Sequence, residues 1–169
     1  MRHEPRAVIL MGVSGCGKTA VGRRLSQILG WPFFDGDDFH SPENVAKMSA
    51  GIPLQDADRL PWLATLHDLI AENLRAGKSI LLACSALKQK YRDQLTRGNP
   101  GMSIVHLKGD FDLIFERMQK RYGHYMKVEM LHSQFEALEE PAEALNIDIA
   151  MNIGTIAEEI IARLNLKSS

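Results

Sequence analysis

The sequence predicts an α/β fold, a single domain built on a five-stranded parallel sheet with helices on both faces. Three observations carry that expectation. Five short apolar, β-rich runs alternate with segments of helical periodicity along all 169 residues. Runs such as AVILM and ILLA are continuously apolar, as strands covered on both faces are. Segments of helical length separate the runs, which is the pattern of right-handed βαβ units.

In chain order, AVILM (7–11) reads as a buried strand. A helix follows from Lys18 to Leu29, with Val21, Leu25, Ile28 and Leu29 at helical spacing and Gly30 as its stop. WPFFD (31–35) is the second strand. In SPENVAKMSAG, Ser41 has N-cap chemistry, Pro42 suits the first helical position and Gly51 terminates. IPLQDADRLP reads as a loop, with a helix from Pro61 to Arg75 ending near Gly77. SILLACS (79–85) is the third strand, and Lys88–Arg97 is helical up to the turn signal GNPG. SIVHLKG is the fourth strand, with a helix over Phe111–Tyr122 behind it. IDIAMNI (147–153) is the fifth, and Thr155–Leu166 is the last helix. Residues 122–140 break the alternation with a charged, aromatic stretch and a further helix, so a lid is expected over about 117–135. No repeat or linker divides the chain, and residues 1–169 are expected to be one domain.

With 45% hydrophobic and 24% charged residues and a net charge of -1, the chain is not basic enough for nucleic acid to be its main partner. Cations for an anionic ligand must therefore be gathered locally. Cys16 and Cys84 are too few for a disulfide scaffold and lack metal-site spacing, which suits reduced thiols in a cytoplasmic protein. The N-terminal apolar run is too short for a signal peptide, and no stretch reaches the length of a membrane span.

Between the first strand and the first helix stands Gly12-Val13-Ser14-Gly15-Cys16-Gly17-Lys18-Thr19, which fits the phosphate-loop pattern G-x-x-x-x-G-K-[ST] at every fixed position. Glycines there allow close approach, and amides of Gly12 to Thr19 at the helix N-terminus surround phosphate oxygens. Lys18 is expected to neutralise the β- and γ-phosphates, and the Thr19 hydroxyl to ligate Mg²⁺. No N-K-x-D sequence specifies guanine, so ATP is the expected nucleotide. SILLACS ends in Cys84 and Ser85 rather than in an acid.

The acids stand instead in Asp35-Gly36-Asp37-Asp38, after the second strand, where strand ends in a parallel sheet face the ligand crevice. One of these carboxylates can hold Mg²⁺ while another takes the proton of an attacking hydroxyl. Downstream, Arg59 is either a surface ion-pair partner of Asp56 and Asp58 or the planar donor for a substrate carboxylate. Past the third strand come Ser85, Lys88 and Arg92, the two cations at i, i+4 spacing on a helix start whose own dipole disfavours them, which points to an anion nearby. RMQKRYGHYMK (117–127) concentrates Arg117, Lys120, Arg121, His124 and Lys127 in a candidate lid. Spacing does not choose between its arginines; Arg121 is taken as the catalytic candidate and Arg117 as the nucleotide-binding one. His40, His67, His106 and His132 show no constellation and are expected to be structural.

GVSGCGKT, DGDDFHSPENVAKM, GIPLQDADRLPWL, CSALKQKYR, HLKGDFDLI and GHYMKVEMLHSQFEALEEP, in that order, resemble the gluconokinase family from about Val8 to Ile153. The resemblance implies a nucleoside-monophosphate-kinase-like fold with a mobile lid, a homodimer, and Mg²⁺-dependent transfer of phosphate from ATP to the 6-hydroxyl of D-gluconate. More distantly the chain resembles shikimate kinases. That likeness places a metal-side acid at Asp35, a hydroxyl-contacting acid at Asp37 and a carboxylate-binding arginine at Arg59, with Lys88 or Arg92 as further holders of the far carboxylate. Two rivals are a kinase for a shikimate-like or nucleotide acceptor and a nucleotide-binding regulatory module, the second disfavoured by the acids at 35 and 37.

Overall fold

Strand β1 (Ala7–Met11) is buried at every position because helices cover it on both sides. A computed structural model describes residues 3–122 and 128–169 of the chain, the side chains of Arg121 and Tyr122 excepted. After β1 come α1 (Lys18–Leu29), β2 (Phe33–Asp35), a short 3-10 helix (Gly36–Phe39), α2 (Pro42–Ser49) and α3 (Asp56–Arg75). Then follow β3 (Ile80–Ala83), α4 (Gln89–Thr96), β4 (Met102–Lys108), α5 (Phe111–Tyr122), α6 (Val128–Ala137), β5 (Leu145–Asp148) and α7 (Ile153–Leu164). The five strands are ordered β2-β3-β1-β4-β5, and every pairing is parallel. From β1 the chain runs outward to one edge and later to the other, so the C-terminal end of β1 is a topological switch point, where ligands of open α/β sheets bind.

Alternate residues of β1 supply two cores. Val8 and Leu10 pack with Leu25, Leu107, Ile147 and Ile160 under α1 and α7. Ile9 and Met11 pack with Leu66, Ile70, Leu82 and Leu95 under α3 and α4. Each such side chain contributes about 1.5–3 kcal/mol by leaving water, which is why the strand has no polar alternation.

Register brings the strand ends level: Leu10 and Asp35 both face Ala83, and Met11 faces His106. The loops after β1, β2 and β3 therefore open into one crevice.

Several boundaries differ from the expectation, and two differ by more than a couple of residues. Helix α3 starts at Asp56, not Pro61, because the Asp58 carboxylate accepts the Gln55 N–H at 2.9 Å and caps the earlier turn. Pro61 lies inside the helix, where its missing N–H costs one bond within the helix. Strand β5 stops at Asp148, whose carboxylate accepts the Ala150 N–H at 2.9 Å, and Asn152 then caps α7 from Ile153. Beyond Asp148 the apolar run has no strand to pair with, since β4 ends opposite it at Lys108. Between β2 and α2, the residues after Asp35 form a 3-10 turn that the Asp35 carboxylate caps.

Candidate active site

The loop between β1 and α1 folds as the pattern requires. Gly17 holds φ +100° as the N-cap of α1, and with no side chain there the first helical amides stay open to the crevice. Gly15 at φ +80° lies so close to α5 that a Cβ would stand 2.4 Å from the Met118 Cγ. Lys18 Nζ donates to Gly12 O at 2.9 Å and Val13 O at 3.1 Å, which holds its charge over the loop. Three amides expected at the phosphates are engaged by the protein itself, that of Gly12 by Ser85 O at 3.3 Å. That of Cys16 closes a turn onto Val13 O at 3.2 Å, and that of Ser14 is taken by Gln134. The Cys16 side chain is buried and its thiol is pushed up by that burial, so it stays protonated.

At the mouth of the loop, Thr19 Oγ1 donates to Asp35 Oδ2 at 3.2 Å, while Asp35 Oδ1 accepts the Asp37 N–H at 3.0 Å. One carboxylate thus reaches the loop's hydroxyl and positions the next acid. A hydroxyl and a carboxylate side by side are the hard oxygen pair that Mg²⁺ takes from a protein, its other sites going to water and phosphate. Among the described residues no cluster of three or more metal-ligating acids, histidines or cysteines exists. The Asp37 carboxyl is raised above its ordinary value by crowding from the protein and then by the charge of Asp35, with Lys18 opposing. A carboxylate more basic than usual, beside an ammonium, has the character of a proton acceptor. Below it, Cys84 is buried and its thiol is pushed up to about 12, so it remains neutral.

The crevice wall beyond Asp37 is built from α2, α3 and α4. Trp62 Nε1 donates to Gly36 O at 2.8 Å, tying α3 to the acidic turn, and the His40 ring stacks on Trp62 at 4.1 Å. Buried Asn44 sits 3.3 Å from His40 Nδ1 and donates to Asp58 O at 2.9 Å. Partial burial pulls the His40 pKa down, the Asp37 charge raises it and the Arg59 charge lowers it, so both groups flank this ring. His40 therefore belongs to a constellation that spacing did not reveal, because Trp62 and Arg59 come from a different helix.

Arg59 is half-buried and donates to Leu54 O at 2.7 Å and Tyr91 Oη at 3.3 Å, its guanidinium 5.5 Å from the Tyr91 ring centre. Among the described residues it makes no ion pair. Its acidic neighbours are taken elsewhere, Asp56 by Lys90 and Tyr91, and Asp58 by Lys47 at 2.8 Å. The surface ion-pair reading of Arg59 is thereby set aside.

Past β3 the expected cations separate. Ser85 is half-buried, and its carbonyl accepts the Gly12 N–H at 3.3 Å. Lys88 caps α4, and its Nζ, like the Arg59 guanidinium, lies near the Tyr91 ring, 5.9 Å from its centre. Arg92, expected to bind substrate, is instead 1% exposed and spends its guanidinium on the chain. It donates to Ala86 O (2.7 Å), Leu87 O (3.0 Å), Gln89 Oε1 (3.0 Å) and Glu139 O (2.8 Å). The correction has a plain cause: position 88 is the cap and position 92 lies in the first turn against the core, so i, i+4 spacing did not put the two cations on one open face.

Of the candidate lid, Arg117 is exposed on α5, while the Arg121 side chain, His124 and Lys127 lie outside the described residues. Gln134 on α6, which no motif singled out, donates from Nε2 to Ser14 Oγ at 2.7 Å and accepts the Ser14 N–H at 2.6 Å. His106 is buried beside Asn146, and His132 stacks on Phe111 at 4.2 Å, both as structural groups. On the β5 side of the loop a cavity of about 710 Å³ is lined by Val13, His106, Phe111, Phe135 and Leu138.

The sequence profile of the shikimate kinase family matches residues 14–164. A probable gluconokinase of Rattus norvegicus is 42% identical over 183 residues, covering 96% of this chain and 99% of its own. The chain belongs to the gluconokinase family. The thermosensitive gluconokinase of Escherichia coli K12 is 46% identical across 89% of this chain and 83% of its own. The crystal structure of a gluconokinase from Sinorhizobium meliloti 1021 superposes with a TM-score of 0.86 at 41% identity, over 97% of this chain and 94% of that one. The gluconokinases and this chain thus share the phosphate-loop kinase fold, and this chain is a kinase.

Proposed function

We propose that the protein transfers the γ-phosphoryl group of ATP to the 6-hydroxyl of D-gluconate. The observation that carries this reading is the continuous set Lys18, Thr19, Asp35 and Asp37 at the crevice mouth, with Arg59 and Lys88 on the wall beyond. Thr19 and Asp35 would hold Mg²⁺, which neutralises phosphate charge when bound. Asp37 accepts the proton of the attacking hydroxyl, helped by its raised basicity. Lys18 meets the charge on the phosphates. Arg59 offers a planar fork to the sugar-acid carboxylate, and its contacts with Leu54 and Tyr91 set its direction before substrate arrives. Arg117 and Arg121 serve the nucleotide and the moving phosphoryl group.

The same reading includes a cytoplasmic homodimer; among the described residues no helix is long and apolar enough to cross a membrane. The test is an acceptor panel of gluconate, other aldonates, shikimate and nucleoside monophosphates, followed by ADP release with and without chelator and by phosphorus NMR of the product. Gluconate alone should give strong, chelator-sensitive turnover with phosphate on carbon 6. Preference for any other acceptor overturns the assignment. Light scattering that returns one chain mass overturns the dimer.

A further inference from the structure

The reciprocal bond between Gln134 and Ser14 lies at one end of a longer connection. The last turn of α6 is closed by the Leu138 N–H on Gln134 O at 3.0 Å, and the chain just beyond it meets the loop after β3. There the Glu139 N–H donates to Leu87 O at 2.8 Å, its carboxylate accepts the Gln89 N–H at 2.9 Å, and its carbonyl accepts Arg92 Nη2 at 2.8 Å. The Gly12 N–H on Ser85 O closes the circuit at 3.3 Å. A rigid element thus joins the phosphate loop to the segment that carries Ser85 and Lys88.

Two oddities fall at the far junction. Ala86 holds φ +45°, where an L side chain is strained, and buried Arg92 Nε is the one buried side-chain polar atom among the described residues without a partner. Strain and an unmet donor persist only where surrounding contacts over-determine a conformation, and they collect at functional segments. The Arg92 fork is what over-determines this one.

We propose that α6 is a strut which couples the nucleotide half of the site to the acceptor half, with Gln134 as its positioning residue. This rests on the kinase reading above. Phosphates entering the loop act on Ser14, and the Gln134 amide passes that change along α6 to Glu139 and the 85–92 segment. The coupling needs no contact between Gln134 and either substrate.

The experiment is hydrogen exchange of the full chain with and without Mg²⁺ and a non-hydrolysable ATP analogue, on the natural protein and on Gln134→Met, which keeps length but makes neither bond. In the natural protein, amides of both 12–19 and 86–92 should slow, the latter by about 5-fold or more, the scale of ordinary inter-site coupling. In Gln134→Met the response at 12–19 should persist while that at 86–92 falls to about 2-fold or less. An undiminished response at 86–92 in the variant, or none there in the natural protein, overturns the proposal. A melting point for Gln134→Met within a few degrees of the natural one shows that the lost response is not lost folding. Since no acceptor is present, a wrong acceptor assignment leaves this outcome untouched, whereas silence at 12–19 sinks the nucleotide reading itself.

Discussion

The two halves of the crevice are built in opposite ways. The proposed donor half is eight consecutive residues, Gly12 to Thr19, and it offers main-chain amides, glycine conformations, one lysine and the Thr19 hydroxyl. The proposed acceptor half is drawn from the 3-10 turn, α3, the loop after β3 and α4, and it offers side chains: Asp37, Arg59 and Lys88, with His40, Trp62 and Tyr91 around them. A site made of backbone needs only local sequence, whereas a site made of side chains needs the fold to bring its parts together. The donor half can therefore serve many kinases, and the choice of acceptor rests with the other half.

The largest effect that separates the halves is expected from Asp37→Asn. Its kcat should fall by about 10²–10⁴, the usual share of a positioned general base, while nucleotide affinity changes little. Stopped turnover with a normal titration of the ATP analogue would confirm it; near-normal kcat removes Asp37 from the reaction. Lys18→Ala should cost about 10²–10³ in kcat/KM for ATP, with the KM for gluconate nearly unchanged. A loss borne mainly by gluconate would mean that the halves are wrongly divided. Arg59→Ala should raise the KM for gluconate by about 10- to 150-fold, the worth of hydrogen bonds to a charged group. Arg59→Lys should restore little of it, because an ammonium cannot present the planar fork.

Arg92 sharpens the contrast between binding the acceptor and shaping its loop. Arg92→Met should lower stability by about 2–4 kcal/mol, since the Ala86, Leu87 and Glu139 carbonyls lose their donor in a buried place. Urea denaturation checks this, and unchanged stability with a raised gluconate KM would return Arg92 to the substrate.

The smallest expected effect concerns pH. Asp37 acts only when ionised, and its pKa is raised, so kcat/KM should climb with pH through a limb above the ordinary carboxylate range. The neighbouring Asp38 charge makes ionisation harder. Asp38→Asn should accordingly move that limb slightly toward lower pH, and a shift toward higher pH would contradict the charge account.

Much of the fold was legible in the chain itself. The bounds of β1, α1 and α5 match the reading from periodicity and glycine stops, and Ser41 and Pro42 open α2 as cap chemistry requires. The start of α3 was misread because Pro61 is a strong helix-start signal, while the Gln55–Asp58 cap that overrides it is spread over four residues. The end of β5 was misread because an apolar run does not announce where its partner strand stops. Within the site, the phosphate loop and the Asp35–Asp37 pair stood out by their chemistry, whereas Gln134 and His40 lay inside family motifs without showing a role of their own. Gln134 lies 120 residues from Ser14, and His40 meets Trp62 only through the packing of α3 against the acidic turn.

By itself, then, the sequence determined the strand and helix order, the donor loop, the placement of the acids after β2 and the kinase family, because each is written in neighbouring residues or in motif order. Tertiary structure alone decided that Arg59 bonds Leu54 and Tyr91 rather than its acidic neighbours, that Arg92 turns inward to fasten a strained loop, and that α6 with the residues after it links Ser14 to Leu87. Those outcomes depend on which carbonyls, rings and carboxylates arrive from distant segments to compete for the same side chain, and only the packed chain sets that competition.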